Sequence, residues 1–132
     1  MSERRVYHRI LDRAKEMVND NDRLRNLVIN AGERLSKIGD DSEEGKGFLK
    51  HVKLLIRMIR AHVSGAYRAF STMTLVLFVF ALLYFITPLD LIPDIIPALG
   101  FTDDIAVALM VFKRCSADIQ KYRKWEEAEL SQ

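Results

Sequence analysis

The feature that most constrains this fold is a stretch without a single charged side chain, from position 69 to position 89, between Arg68 and Asp90. Its pattern predicts a helix that ends at Thr87, because Pro88 cannot continue it, and apolar residues occupy every side of that helix. Such a helix is about 30 Å long, close to the hydrocarbon thickness of a bilayer. A helix that is apolar all round spans a membrane or lies in a large core, and a chain of 132 residues has little core to hide it. The stretch therefore predicts membrane insertion, with burial between the subunits of an oligomer as the competing interpretation.

The rest of the chain carries helical patterns throughout, so the predicted fold class is all-α. Two amphipathic helices are expected in the N-terminal segment, separated by the polar run 19–22, which stops one helix and caps the next. The acidic, glycine-rich segment 39–47 is predicted to be a linker. The chain is thereby divided into an N-terminal helical segment at 1–38, the linker, and a membrane-associated helical domain at 48–125.

A basic amphipathic helix is predicted directly before the apolar stretch. Its apolar residues share one face, and its basic residues lie mostly on the opposite side: Lys50, Lys53, Arg57 and Arg60, followed by Arg68. This arrangement is typical of a helix beside an anionic membrane surface, where each basic residue contributes about 1 kcal/mol. A solvated face of a soluble helical bundle is the alternative.

A proline-rich acidic turn is predicted after the apolar stretch, and its punctuating residues are Pro88, Pro93, Pro97 and Gly100. Thr102 is then expected to cap a second arm at 102–123, with two aspartates in its first turn and Leu109 on its inward face. The two arms, 69–87 and 102–123, form a membrane-associated hairpin in this interpretation. Basic residues flank both arms, which predicts that both termini are cytoplasmic.

The order of residues around this turn carries a specific resemblance. The motif consists of an aromatic residue, a proline, the sequence D-L-I-P-D, a further proline, a glycine and a pair of aspartates. The corresponding residues, in order, are Tyr84, Pro88, Asp90, Leu91, Ile92, Pro93, Asp94, Pro97, Gly100, Asp103 and Asp104. This order and spacing resembles the YkvA-like family of small membrane-associated proteins of unknown function, over about residues 65–112. The resemblance implies a helical domain associated with a membrane, here the bacterial inner membrane. It brings no established activity.

Four carboxylates of the turn lie in an otherwise uncharged region: Asp90, Asp94, Asp103 and Asp104. The favoured interpretation is structural, with helix capping or basic partners on other helices, and Asp94 has the least obvious capping role. The alternative is a site for Mg²⁺ or Ca²⁺, since hard cations prefer oxygen ligands, or an ion path. No cofactor is otherwise predicted.

Composition narrows the function. The net charge is only +2, which does not indicate nucleic acid as a partner, and Cys115 stands alone, which excludes a multi-cysteine zinc site. No nucleophile motif, phosphate-binding glycine loop or H-E-x-x-H motif is present. The prediction is a non-enzymatic membrane-associated module, a scaffold or regulator, with lipid as its partner together with another protein or a second copy. A cation-dependent or ion-handling membrane protein that uses the Asp cluster is the alternative.

Overall fold

The computed structural model describes residues 3–37, 43–86 and 97–131. This part of the chain is all-helical, which confirms the predicted fold class. The helices are α1 (Glu3–Met17), α2 (Asn21–Lys37), α3 (Glu43–Ser64), α4 (Thr72–Ile86), α5 (Pro97–Arg114) and α6 (Ser116–Leu130).

Short polar side chains begin two of these helices. Asp20 accepts a hydrogen bond from the backbone N–H of Arg23 at 3.2 Å, within the predicted polar run between α1 and α2. At α4, the Ser71 hydroxyl accepts from the backbone N–H of Thr74 at 3.1 Å. Both bonds satisfy amide donors that have no partner inside the helix. The start of α2 was predictable because the capping residue acts on its own neighbours.

Helix α4 is the centre of the bundle. Eleven of its 15 residues are buried, and α1, α2, α3 and α5 all contact it. Each of these helices turns one apolar stripe inward, among them Ile10, Leu27, Ile59 and Val111. The expectation that a chain of this size cannot bury a helix that is apolar all round is therefore wrong. Four amphipathic neighbours together enclose it.

The first arm is shorter than predicted. Helix α4 covers 72–86 rather than 69–87, and its 15 residues measure about 22 Å, well below the hydrocarbon thickness of a bilayer. None of the helices within 3–37, 43–86 and 97–131 combines the length and the apolar character needed to cross a membrane.

The second arm begins earlier than predicted and is broken in the middle. Helix α5 starts at Pro97, not at Thr102, and ends at Arg114; α6 then starts at Ser116 after the buried Cys115. Proline suits a first helical position because its missing N–H would lack an intrahelical partner in any case. Gly100 therefore lies within α5, and the predicted turn residues Pro88 and Pro93 lie outside the described residues.

The N-terminal helices share the core of the other helices. Tyr7 of α1 stacks on Tyr84 of α4 with ring centroids 5.4 Å apart. Helix α3 begins at Glu43, inside the predicted linker 39–47, whose residues 39–42 lie outside the described part. The division into domains stays a prediction. In the structure, α1 and α2 both pack on α4.

Aromatic side chains of α6 pack against the segment between α3 and α4. Gly65, with φ of +85°, ends α3 in a left-handed conformation that glycine adopts without strain. Tyr67 then contacts Tyr122 and Trp125 at centroid distances of 5.4 and 5.2 Å. Phe70 packs edge-on against Phe78 of α4 at 5.2 Å. Through Tyr67 and Phe70, the segment between α3 and α4 thus connects α6 to the core.

Candidate interaction surface

The exposed face of α3 is basic along its central turns. Between positions 49 and 63 the exposed residues are Lys50, Lys53, Arg57 and Arg60. Their spacing of three and four residues places them on one face of the helix. The structure therefore brings these predicted basic residues together. Arg68 is also exposed, in the segment after α3, where its Nη1 donates to the backbone oxygen of His62 at 3.1 Å.

One charge of this basic face is neutralised. Arg57 donates from Nε and Nη2 to the two carboxylate oxygens of Glu126, at 3.0 and 3.1 Å. The hydrogen bond from Arg57 is the main cause that holds the pKa of Glu126 below its usual range, and the same bond raises the pKa of Arg57. Burial and then the bond to Glu126 raise the pKa of Tyr122 to about 12. Lys50, Lys53 and Arg60 have no ion pair within the described residues.

The exposed face of α5 is apolar for one turn and basic in the next. Leu109 is 55% exposed and Met110 is 44% exposed, next to the exposed Ala106. Lys113 and Arg114 follow at the spacing of one helical turn, and both are exposed. The prediction that Leu109 faces inward is wrong, because Val107 and Val111 occupy the buried side.

An apolar groove of about 440 Å³ runs beside this face, between α1 and α5. Leu77 and Phe80 of α4 contribute to its lining, as do Tyr7 and Leu11 of α1. Met110 belongs to the same lining, together with two basic residues, His8 and Arg114. No acidic residue is among the described residues that line the groove. The exposed α5 face and the groove form one apolar surface with a basic edge, called here the α5 surface: Leu77, Ala106, Leu109, Met110, Lys113 and Arg114.

The structure describes the helical position of only two of the four aspartates in the predicted acidic cluster. Asp90 and Asp94 lie outside the described residues, and Asp103 and Asp104 belong to α5, whose first turn contains no acidic residue. The predicted role of these last two in the first turn of the second arm is therefore wrong, since the helix begins six residues before Asp103. Among the residues described, no group of three or more His, Cys, Asp or Glu side chains could hold a metal ion.

A small polar cluster joins α4 to α6. The Thr74 hydroxyl donates to Asp118 at 2.5 Å and accepts from Ser71 at 2.9 Å. Cys115 is buried beside them, and burial raises the pKa of its thiol. A thiol held protonated is a poor nucleophile. The cluster therefore has a structural role, which is to hold α6 against α4.

Sequence reasoning missed the α5 surface although a signal for it was present. Ala106, Leu109, Met110 and Lys113 share one face at helical spacing. Periodicity alone shows which residues share a face, but it does not show which face the neighbouring helices cover.

Comparisons with known proteins found a family and a relative that are similar to this chain. A family model described as "Protein of unknown function (DUF1232)" matches residues 74–110, which contain most of α4 and the exposed apolar turn of α5. The "Uncharacterized membrane protein YkvA" of Bacillus subtilis (strain 168) is 36% identical over 80 residues, which are 61% of this chain and 76% of that protein. No solved structure matches the chain.

Proposed function

Because this chain belongs to the YkvA-like family of proteins of unknown function, we propose that it is a non-enzymatic module that docks onto an anionic membrane through its α5 surface. There it serves as a scaffold or regulator of another protein. The single observation that carries the proposal is the exposed apolar turn of α5, with Leu109 and Met110, next to the basic pair Lys113 and Arg114.

The physical argument rests on what each part of this surface gains from a bilayer. Leu109 and Met110 lose water contact on insertion, and each contributes up to roughly 1.5–3 kcal/mol when fully buried. Lys113 and Arg114 contribute about 1 kcal/mol each near an anionic headgroup layer. A helix with an apolar strip and a basic edge binds in the plane of the interface rather than across the bilayer. This mode of binding requires no spanning helix.

The basic face of α3 supports the same proposal. Lys50, Lys53 and Arg60 are exposed and keep their charges unpaired within the described residues. Such a row of positive charge attracts the protein to an anionic surface before the apolar contact forms, over about a Debye length. The proposed site is the cytoplasmic side of the bacterial inner membrane, with both termini on that side. The relative from Bacillus subtilis carries the name of a membrane protein.

Vesicle flotation tests the proposal. The wild-type protein is expected to float with vesicles that contain phosphatidylglycerol, to float less with pure phosphatidylcholine vesicles, and to be partly released by high salt. The double variant Leu109→Glu/Met110→Glu is expected to remain unbound, because it places two charges in the inserted turn. Ile29→Glu is the control, since Ile29 is 52% exposed on α2 and lies outside the α5 surface.

Two results would contradict membrane docking through α5. One is equal loss of binding in the double variant and the control. The other is a wild-type dimer in sedimentation equilibrium that becomes a monomer only in the double variant, because a second copy would then cover the α5 surface.

A further inference from the structure

A second cavity lies between α1, α2 and the last turn of α4, and its rim differs in character from its floor. Its volume is about 320 Å³, within the range of small-ligand sites. Arg13 of α1 and Arg23, Asn26 and Asn30 of α2 supply its polar lining, and all four are exposed. Each of these side chains offers N–H donors to a ligand. The described lining contains no carboxylate.

The guanidinium groups of Arg13 and Arg23 at the rim form no ion pair with any carboxylate in the described part of the chain. Ion pairs there join Arg25 to Asp22 and Arg57 to Glu126, and neither Arg13 nor Arg23 takes part in one. A carboxylate oxygen of the neighbouring Asp20 is already bonded to the backbone N–H of Arg23 at the start of α2. The rim therefore favours an anion.

The floor of the cavity is apolar. Met17, Leu27 and Leu83 are buried beneath the rim, and Ile86 is half-buried at the end of α4. An inorganic anion would leave Ile86 and the small exposed part of the floor in contact with water. An alkyl group attached to the anion would cover that apolar area, and its burial would add to the affinity.

We propose that this cavity binds an organic phosphate that carries an alkyl group. The guanidinium forks of Arg13 and Arg23 donate to the phosphate oxygens, a geometry for which arginine is well suited. The amides of Asn26 and Asn30 donate to the remaining oxygens, and the alkyl group lies on Ile86 and the floor. Four donor side chains match the several oxygens of a phosphate better than the two oxygens of a carboxylate. Such a ligand is either a soluble phosphate ester or the headgroup region of an anionic phospholipid.

Calorimetric titration with octyl phosphate tests the site without any membrane. Saturable binding of one molecule per chain is expected, and Arg13→Gln/Arg23→Gln is expected to weaken it about tenfold or more, the loss for charge-assisted bonds. The matched control is Arg9→Gln/Lys15→Gln, which removes the same charge from exposed positions of α1 outside the cavity. Its affinity is expected to stay within about twofold of the wild type, because long-range charge alone is screened by salt.

A second comparison tests the contribution of the apolar floor to binding of the alkyl group. Ile86→Ser is expected to weaken octyl phosphate while leaving the much weaker inorganic phosphate unchanged. The proposal is overturned by an absence of saturable binding, by equal losses in the two double variants, or by octyl phosphate that binds no better than inorganic phosphate.

Vesicles that contain phosphatidic acid then separate the two sources of the ligand. Weaker retention of Arg13→Gln/Arg23→Gln than of its control assigns the ligand to the lipid headgroup. Equal retention of the two variants, with octyl phosphate binding intact in the wild type, assigns it to a soluble ester. The titration is independent of the α5 surface, so that failure of membrane docking and failure of this site give different results.

Discussion

Arg57 on α3 and Glu126 on α6, which are 69 positions apart in the sequence, form a bidentate ion pair with N–O distances of 3.0 and 3.1 Å. The Tyr122 hydroxyl donates to the same carboxylate at 2.8 Å. Together these bonds hold α6 against α3, beside the contacts of Tyr67 with Tyr122 and Trp125. The pair also removes one charge from the basic face of α3.

The first prediction concerns Glu126→Gln. The free energy of unfolding at pH 7 is expected to fall by about 0.5–1 kcal/mol, a modest amount because the pair is partly exposed to solvent. Urea unfolding measures it, with Glu127→Gln as the control, since Glu127 is exposed and its carboxylate takes part in no ion pair of the described residues.

This difference should depend on pH. The pKa of Glu126 is lower in the folded protein, chiefly through its bond to Arg57, so the unfolded chain takes up the proton first as the pH falls. The stabilisation is therefore complete above the unfolded value of about 4.3 and is lost as the pH falls through the folded value. The wild type and Glu126→Gln should converge in strong acid. A constant difference from pH 7 to pH 2 would contradict the role of the pair.

His62 should make the protein sensitive to mild acid. It is only 8% exposed, and its Nδ1 atom has no hydrogen-bond partner among the residues that the structure describes. Burial, followed by the charge of Arg68, lowers its pKa. Because the unfolded chain binds the proton more readily, stability should decline as the pH falls below about 6.5. His62→Leu should flatten the dependence between pH 7 and pH 5 in urea unfolding, whereas the exposed His8→Gln should preserve it. Identical slopes in the two variants would rule out His62 as the cause.

Helix α4 should behave as the core of the protein. Phe78 is fully buried and packs against Phe70, so Phe78→Ala is expected to cost about 3–5 kcal/mol. Met73 in the same helix is 63% exposed, and Met73→Ala should change stability by less than about 0.5 kcal/mol. Thermal unfolding without detergent compares the two. Similar small effects at both positions would contradict the enclosure of α4 by its neighbours.

The acidic residues of the predicted turn are expected to act without a bound cation. Adding Mg²⁺ or Ca²⁺ should leave the thermal midpoint unchanged, and Asp103→Asn and Asp104→Asn should be mild. A severe effect of Asp94→Asn is expected if Asp94 pairs with an Arg or a metal, because losing one partner of a buried pair costs roughly 3–5 kcal/mol. A dose-dependent rise of the midpoint that Asp94→Asn abolishes would establish the cation site instead.

The features that depend on near neighbours could be predicted from the sequence. The all-helical fold follows from the spacing of apolar residues, and the polar run around Asp20 marks the boundary between α1 and α2 because a side chain there bonds an amide three positions away. The basic face of α3 follows from the spacing of Lys50, Lys53, Arg57 and Arg60 along one helix. The start of α5 is an exception among local features, because Thr102 offered a plausible cap while Pro97 is the residue that begins the helix.

The tertiary structure alone decides what covers each helix. By itself, the sequence determined that the uncharged stretch, with a helix predicted at 69–87, is helical and apolar on all sides. Such a helix can be covered equally well by bilayer lipid or by four protein helices. The same holds for Leu109, whose periodicity marks a face without assigning it to the core or to the surface. Burial depends on contacts between residues distant in the chain, as in the approach of Tyr7 to Tyr84, and no local pattern encodes those contacts. The enclosure of α4 and the exposure of Leu109 and Met110 are thus properties of the assembled bundle.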